Sequence, residues 1–135
     1  MSLFIWEEKY SVNIKEIDEQ HKKLVGILNE LHTSMLGGKA NNVLKKVLNE
    51  LIDYTTYHFK TEEQLMTIHN YPKYDEHKAS HKNLTDKVLS FYSELESGKK
   101  LLSVELLFFL KDWLVNHILG EDKMYSKFFN DKGIF

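Results

Sequence analysis

The chain has 135 residues, one domain's worth and enough to bury one real core. It has no cysteine, which excludes disulfides, a thiolate nucleophile, thiolate zinc sites and iron–sulfur clusters. Net charge is −2 and all 18 basic residues are Lys, so no nucleic-acid partner is expected.

Residues 1–17 have no helical period and form an N-terminal arm. Its apolar stretch Leu3 to Trp6 is too short for a signal sequence and is followed by Glu7 and Glu8. Phe4, Ile5, Trp6, Tyr10, Val12 and Ile14 carry too much apolar surface to stay in water, so the arm is expected to lie over one end of the fold.

Four segments then carry apolar residues at alternating steps of four and three. The first, about 18–36, reads Ile17, His21, Leu24, Leu28, Leu31, Met35, with Asp18 as a candidate N-cap. The second, about 42–69, reads Leu44, Leu48, Leu51, Thr55, His58, Glu62, Leu65, with Asn41 or Asn42 as cap. The third, about 73–97, reads Tyr74, His77, His81, Leu84, Val88, Phe91, Leu95; Pro72 suits its first turn, and Asp75 and Glu76 suit the positive end of its dipole. The fourth, about 103–119, reads Leu106, Leu110, Trp113, His117, with Ser103 as cap, and a C-terminal segment 120–135 follows. Gly37-Gly38, Asn70-Tyr71-Pro72 and Ser97-Gly98 are the breaks. The expected fold is all-α: an antiparallel up-down-up-down four-helix bundle in one domain, 1–135. The richest apolar run, Leu101 to Leu110, is interrupted by Ser103 and Glu105 and is far too short to span a membrane, so a cytoplasmic protein with no membrane partner is expected.

Every seam contains polar residues where Leu belongs: His21, His58, Glu62, His77, His81 and His117. Burying such groups without partners costs several kcal/mol each, roughly 2–7 for a neutral group. In an antiparallel bundle the start of helix 1, the end of helix 2, the start of helix 3 and the end of helix 4 share one end, so all six converge on one layer at ~1.5 Å rise per residue. His58/Glu62 and His77/His81 are i, i+4 pairs, the spacing by which one helix offers two ligands to one centre. His117 and Asp122 are five apart, ~140° off in a regular helix, so a π-bulge or a helix end eased by Gly120 is predicted between them.

Seven groups result, five imidazoles and two carboxylates without thiolate, which suits iron, or by geometry manganese or zinc. Two metals use them better than one. With both carboxylates bridging and one hydroxide shared, about 11 of the roughly 12 positions of two octahedra are filled and one stays open.

These residues resemble the hemerythrin family, specifically the single-domain bacterial hemerythrins. The matching elements are Asp18-Glu19-Gln20-His21, His58-Phe59-x-x-Glu62, His77-x-x-x-His81 and Trp113-Leu114-x-x-His117-Ile118-x-x-x-Asp122-x-x-Tyr125. The resemblance implies a centre of two non-haem iron ions, bridged by hydroxide or oxide and two carboxylates, that binds dioxygen reversibly for storage or delivery. His77, His81 and His117 would hold the six-coordinate iron, His21 and His58 the five-coordinate one, and Glu62 and Asp122 would bridge. Dioxygen would take one electron from each iron. Leu24, Phe59, Trp113, Leu114 and Ile118 lie beside the ligands and either line a dry pocket or simply pack. Tyr125 either hydrogen-bonds near the site or packs at the bundle end.

His32 and His69 read as structural, His69 as a cap for carbonyls at the end of helix 2. Lys22-Lys23, Lys45-Lys46 and Lys99-Lys100 read as solvated faces. A ferritin-type oxidase is disfavoured because no Glu precedes a His by three, and a zinc protease because Lys78 stands where its Glu base belongs. A pH switch or partner interface leaves the shared layer unexplained. The function expected is therefore binding and not catalysis, by a monomer, with possible delivery to an oxygen-consuming enzyme. A di-iron redox enzyme, a scavenger of peroxide or nitric oxide, and an oxygen sensor are the alternatives.

Overall fold

A computed structural model describes residues 4–38, 41–97 and 104–135. Four helices form the body: α1 Lys15–Leu36, α2 Asn41–Ile68, α3 Tyr74–Glu96 and α4 Val104–Asn116. A six-residue π-helical turn, His117–Asp122, joins α4 to α5, Lys123–Asp131. There is no strand among the described residues. Helix α1 packs on α2 and on α4, and α2 packs on α3, as an up-down-up-down bundle requires. The seams face inward: Leu24, Leu28 and Leu31, Leu48 and Leu51, Leu84 and Val88, Leu106 and Leu110 are all buried in one core.

The ends of the helices differ from the sequence expectation in informative ways. Helix α1 begins at Lys15, after Ile14, which offers no side-chain cap. Asp18 lies inside the first turns, and its carboxylate accepts the Ser11 hydroxyl at 2.5 Å and the Val12 N–H at 2.8 Å. A carboxylate near the positive end of the helix dipole is well placed for donors from the incoming chain. Asn41 and Asn42 both belong to α2, and the residue before it lies outside the described residues, as does Ser103. The C-terminal segment is not a tail. The helix resumes after the π-turn, and α5 lies against the same end of the bundle.

Asn70 ends α2 in the left-handed region, φ 55°, with the Tyr71 N–H on the Met66 carbonyl at 2.9 Å and the Asn70 N–H on Thr67 at 3.4 Å. This is the Schellman closure, and Tyr71 and Met66 pack together as its hydrophobic contact. The closure satisfies the carbonyls through the backbone, so His69 caps nothing; its ring packs edge-on to Phe129. Gly133, φ 83°, ends α5 the same way, through the Ile134 N–H on Phe129 at 3.0 Å.

The arm does more than cover an end. Phe4 exchanges backbone hydrogen bonds with the Asn29 side chain at 2.9 and 2.8 Å, so this part lies along the flank of α1. Val12 and Ile14 then tuck under the bundle with Ile17, Met66, Tyr71, Tyr125 and Phe129 in a second cluster. Ile5, expected to be covered, stays 70% exposed, because the extended chain turns its neighbours Phe4 and Trp6 toward the bundle instead.

Asp18 is thus the clasp between arm and helix. Asp18→Ala is expected to cost about 1–3 kcal/mol in urea unfolding, the range for stranding buried donors, and to raise the exchange rate of the Val12 amide. Unchanged stability and exchange would show that the arm is held by its apolar contacts alone.

Candidate metal centre

The seven groups meet in one buried layer. His21 comes from α1, His58 and Glu62 from α2, His77 and His81 from α3, and His117 and Asp122 from the two ends of the π-turn; all are at most 3% exposed. The extra residue of the π-turn lets His117 Nε2 and Asp122 Oδ1 approach to 3.0 Å, which a regular helix forbids at a spacing of five.

The groups divide into two overlapping sets. Glu62, His77, His81, His117 and Asp122 each offer one atom to one point, and His21, His58, Glu62 and Asp122 to another. The two carboxylates belong to both. Asp122 splits cleanly: Oδ2 faces His21 Nε2 at 3.0 Å, while Oδ1 faces His77 and His117 Nε2, each at 3.0 Å. Glu62 Oε1 lies between the two sets, 3.0 Å from His58 Nε2 and 3.4 Å from His81 Nε2. Glu62 Oε2 is 3.7 Å from His77 Nε2 and accepts the Tyr125 hydroxyl.

These contacts are close but are not hydrogen bonds. The Nε2 atoms of His21, His58 and His77, Glu62 Oε1 and both Asp122 oxygens are buried and unpartnered. For His58, and for His81 and His117 beside it, an acceptor stands at the far side of the ring. His58 Nδ1 is 2.7 Å from the Gln20 amide oxygen, His81 Nδ1 is 2.9 Å from Glu63, and His117 Nδ1 is 3.4 Å from Glu121. A neutral imidazole has one proton, and acceptors on the outside draw it to Nδ1. Nε2 then presents a lone pair to the centre. His81 and His117 place their Nε2 atoms 3.0 Å apart, a contact that one proton bridges in the metal-free protein. Imidazole nitrogens turned on one another and on carboxylate oxygens call for positive charge between them, protons in the metal-free protein or a metal ion in their place. Buried polar atoms without partners are rare, and six at one place identify what the pocket is built to hold.

Two rings fix the ligand planes. Phe59 stacks on His81, centroids 3.7 Å apart and planes 3° apart, and Trp113 stacks on His117 at 4.4 Å and 16°. Both also line an apolar cavity of about 40 Å³ beside the layer, together with Leu24 and Leu114. That volume is above the roughly 10–15 Å³ needed by one water, yet the walls give a water few partners. Ile118, the fifth residue expected there, is fully buried in the core and is not part of that wall. Its neighbour in the turn, His117, takes the inward place.

The sequence pattern assigns no role to Glu63, Ser80 or Glu121, and Gln20 stands there only as part of the Asp18-Glu19-Gln20-His21 element. Each of Gln20, Glu63 and Glu121 is next in sequence to a ligand candidate, a place that reads as solvent face. Glu121 had one usable signal, its i, i+4 spacing from His117. Ser80 donates to Glu121 at 2.9 Å and ties the π-turn to α3. Tyr125 resolves to the hydrogen-bonding alternative while also packing, being fully buried between Tyr71 and Phe129.

Without metal the centre is held by charge. Burial opposes a charge on His77 and His117, but Asp122 and Glu62 outweigh it and hold them at about 9 and about 10, against an ordinary 6.5. Burial pushes the Glu62 and Asp122 carboxyls up, yet the surrounding imidazoles hold both below the usual range. Burial lowers His58. Burial also raises the Tyr125 phenol, and the two carboxylates raise it further, so it remains a donor.

Known proteins resemble this chain over most of its length. The family model described as "Hemerythrin HHE cation binding domain" matches residues 12–129. A bacteriohemerythrin of Stenotrophomonas maltophilia (strain R551-3) is 34% identical over 126 residues, 93% of this chain and 81% of that one. One from Methylococcus capsulatus (strain Bath) is 33% identical over 127 residues, 93% and 96% of the two chains. A hemerythrin-like protein of Naegleria gruberi is 35% identical, covering 93% and 92%. A crystal structure of wild-type hemerythrin superposes with a TM-score of 0.90 at 32% identity, over 93% of this chain and 97% of that one.

The raised His77 and His117 favour folding of the metal-free protein below pH ~6.5, and that contribution is lost as pH rises through about 9 to 10. The effect of His58 has the opposite sign but is complete above its ordinary value. The metal-free Tm is therefore expected to fall between pH 7 and 10. Metal requires neutral imidazoles, so the gain in Tm on adding metal should widen over the same range. A gain independent of pH would mean that these imidazoles are not displaced from their protons by the metal.

Proposed function

The chain belongs to the hemerythrin family, and from that premise we propose that it binds dioxygen reversibly at a centre of two non-haem irons. His77, His81 and His117 would hold one iron and His21 and His58 the other, with Glu62 and Asp122, and a hydroxide or oxide, common to both. The observation that carries this is the division of seven buried donors into two sets with both carboxylates in common. When bound, the two irons supply the two electrons that dioxygen takes up.

The protein's own residues keep that exchange reversible. Leu24, Phe59, Trp113 and Leu114 line the largely apolar cavity beside the layer, and such a wall offers few protons and little hold on water. Phe59 and Trp113 also lock two imidazoles in plane. Tyr125 donates to Glu62 and leaves that carboxylate no freedom to swing away. Five neutral imidazoles against two carboxylates make the centre less anionic than one rich in carboxylates, which favours binding over oxidative catalysis. We further assign the chain to oxygen storage or delivery, as a monomeric cytoplasmic protein able to supply an oxygen-consuming enzyme. No helix among the described residues is long and apolar enough to cross a membrane.

The test is a visible spectrum of the iron-loaded, reduced protein, first anaerobic, then under air, then under argon. A band that appears under air and fades under argon is expected. A centre that oxidises once and does not return would replace oxygen carriage with a redox enzyme or scavenger.

A further inference from the structure

The two sides of the centre are not supported alike. On the three-histidine side, two rings have a carboxylate behind them: His81 gives its Nδ1–H to Glu63 at 2.9 Å, and the Glu121 carboxylate stands 3.4 Å from His117 Nδ1, an ion-pair contact and not a hydrogen bond. On the two-histidine side, His58 meets only the neutral Gln20 amide, and His21 Nδ1 is buried with no partner. The Gln20 amide is itself held by the Thr61 hydroxyl at 3.4 Å, so its carbonyl is fixed toward the ring. Glu121 is anchored from behind by Ser80 at 2.9 Å.

A carboxylate that accepts Nδ1–H pulls the proton outward and pushes electron density onto Nε2, which makes the imidazole a stronger donor to metal. A neutral amide does this less, because hydrogen bonds to ionised acceptors are roughly twice as strong as neutral ones. Glu63 and Glu121 also bring two negative charges close to the first side.

We infer that Glu63 and Glu121 are positioning residues that make the three-histidine half of the centre the electron-rich half, the one that binds its ion more tightly and better tolerates the higher oxidation state. Gln20 leaves the two-histidine half electron-poor. The inference rests on the two-iron reading and adds to it the residues that make the two ions unequal. The asymmetry is carried by residues outside the ligand set, two of which reach solvent, with side chains 23% and 41% exposed. Substituting them therefore leaves no cavity.

Glu63→Gln keeps an acceptor for the His81 Nδ1–H, Glu121→Gln keeps a polar group behind His117, and both remove only the charge. Zinc affinity, measured by competition with a chromophoric chelator, separates the two ions without redox chemistry. The variant with both changes is expected to bind two zinc ions, one of them about 10-fold or more weaker than in the parent and the other unchanged. Loaded with iron, it should show a higher midpoint potential for one iron only. Gln20→Glu should do the reverse, tightening the weaker ion. A role in ring orientation alone would leave the potentials where they were in the Gln variants. Unchanged affinities and potentials, or equal shifts at both ions, would overturn the inference while leaving two ions per chain. A parent protein that takes up fewer than two zinc ions would instead overturn the two-metal reading, and the inference with it.

Discussion

The structure turns on a set of buried lone pairs that face one another. Five imidazole nitrogens and two carboxylates converge at a depth where exposure is 3% or less, and most have no donor to accept from. No arrangement of protons satisfies all of them at once. If every imidazole is neutral, His58 and His81 give their protons outward to Gln20 and Glu63, and too few donors remain for Glu62 and Asp122. If several are charged, they balance Glu62 and Asp122 but repel one another. The family to which the chain belongs resolves this with metal, and the bundle is arranged around that need. The π-turn, the buried second cluster and the return of α5 beneath the layer all serve to bring Asp122 and Tyr125 to one point.

Much of this was legible in the sequence, and the reason is periodicity. His21, His58, Glu62, His77, His81 and His117 fall on the same 4–3 rhythm as the leucines, so their inward direction follows from the rhythm. The five-residue step to Asp122 broke it, and the break itself was the signal for a π-turn. Helix starts were less legible. Asp18 carries the composition of an N-cap but spends its carboxylate on Ser11 and Val12, because the arm returns across the helix start and a tertiary donor outcompetes the local one. The arm was hardest of all. With no period, nothing in its residues distinguishes Phe4, buried beside Asn29, from Ile5, left in water.

The support around the ligands was missed for a related reason. Gln20, Glu63 and Glu121 each stand one position from a ligand, about 100° around the helix, and a polar residue there reads as ordinary surface. Only the folded geometry shows that a long side chain can bend back to the outer nitrogen of an imidazole on its own or a neighbouring helix. Phe59 and Trp113 show the converse. They read as packing or as pocket, and they are both, since each stacks on a ligand ring and also lines the apolar cavity. In a bundle this small the core and the site are the same residues.

The central claim is that the buried layer is built for two metal ions that share Glu62 and Asp122. Anaerobic titration of the metal-free chain with iron(II), followed by metal analysis after gel filtration, addresses it most directly. The account predicts saturation at two irons per chain. Saturation at one, or no retained iron, would contradict it and would require another explanation for the buried, unpartnered oxygens of Asp122.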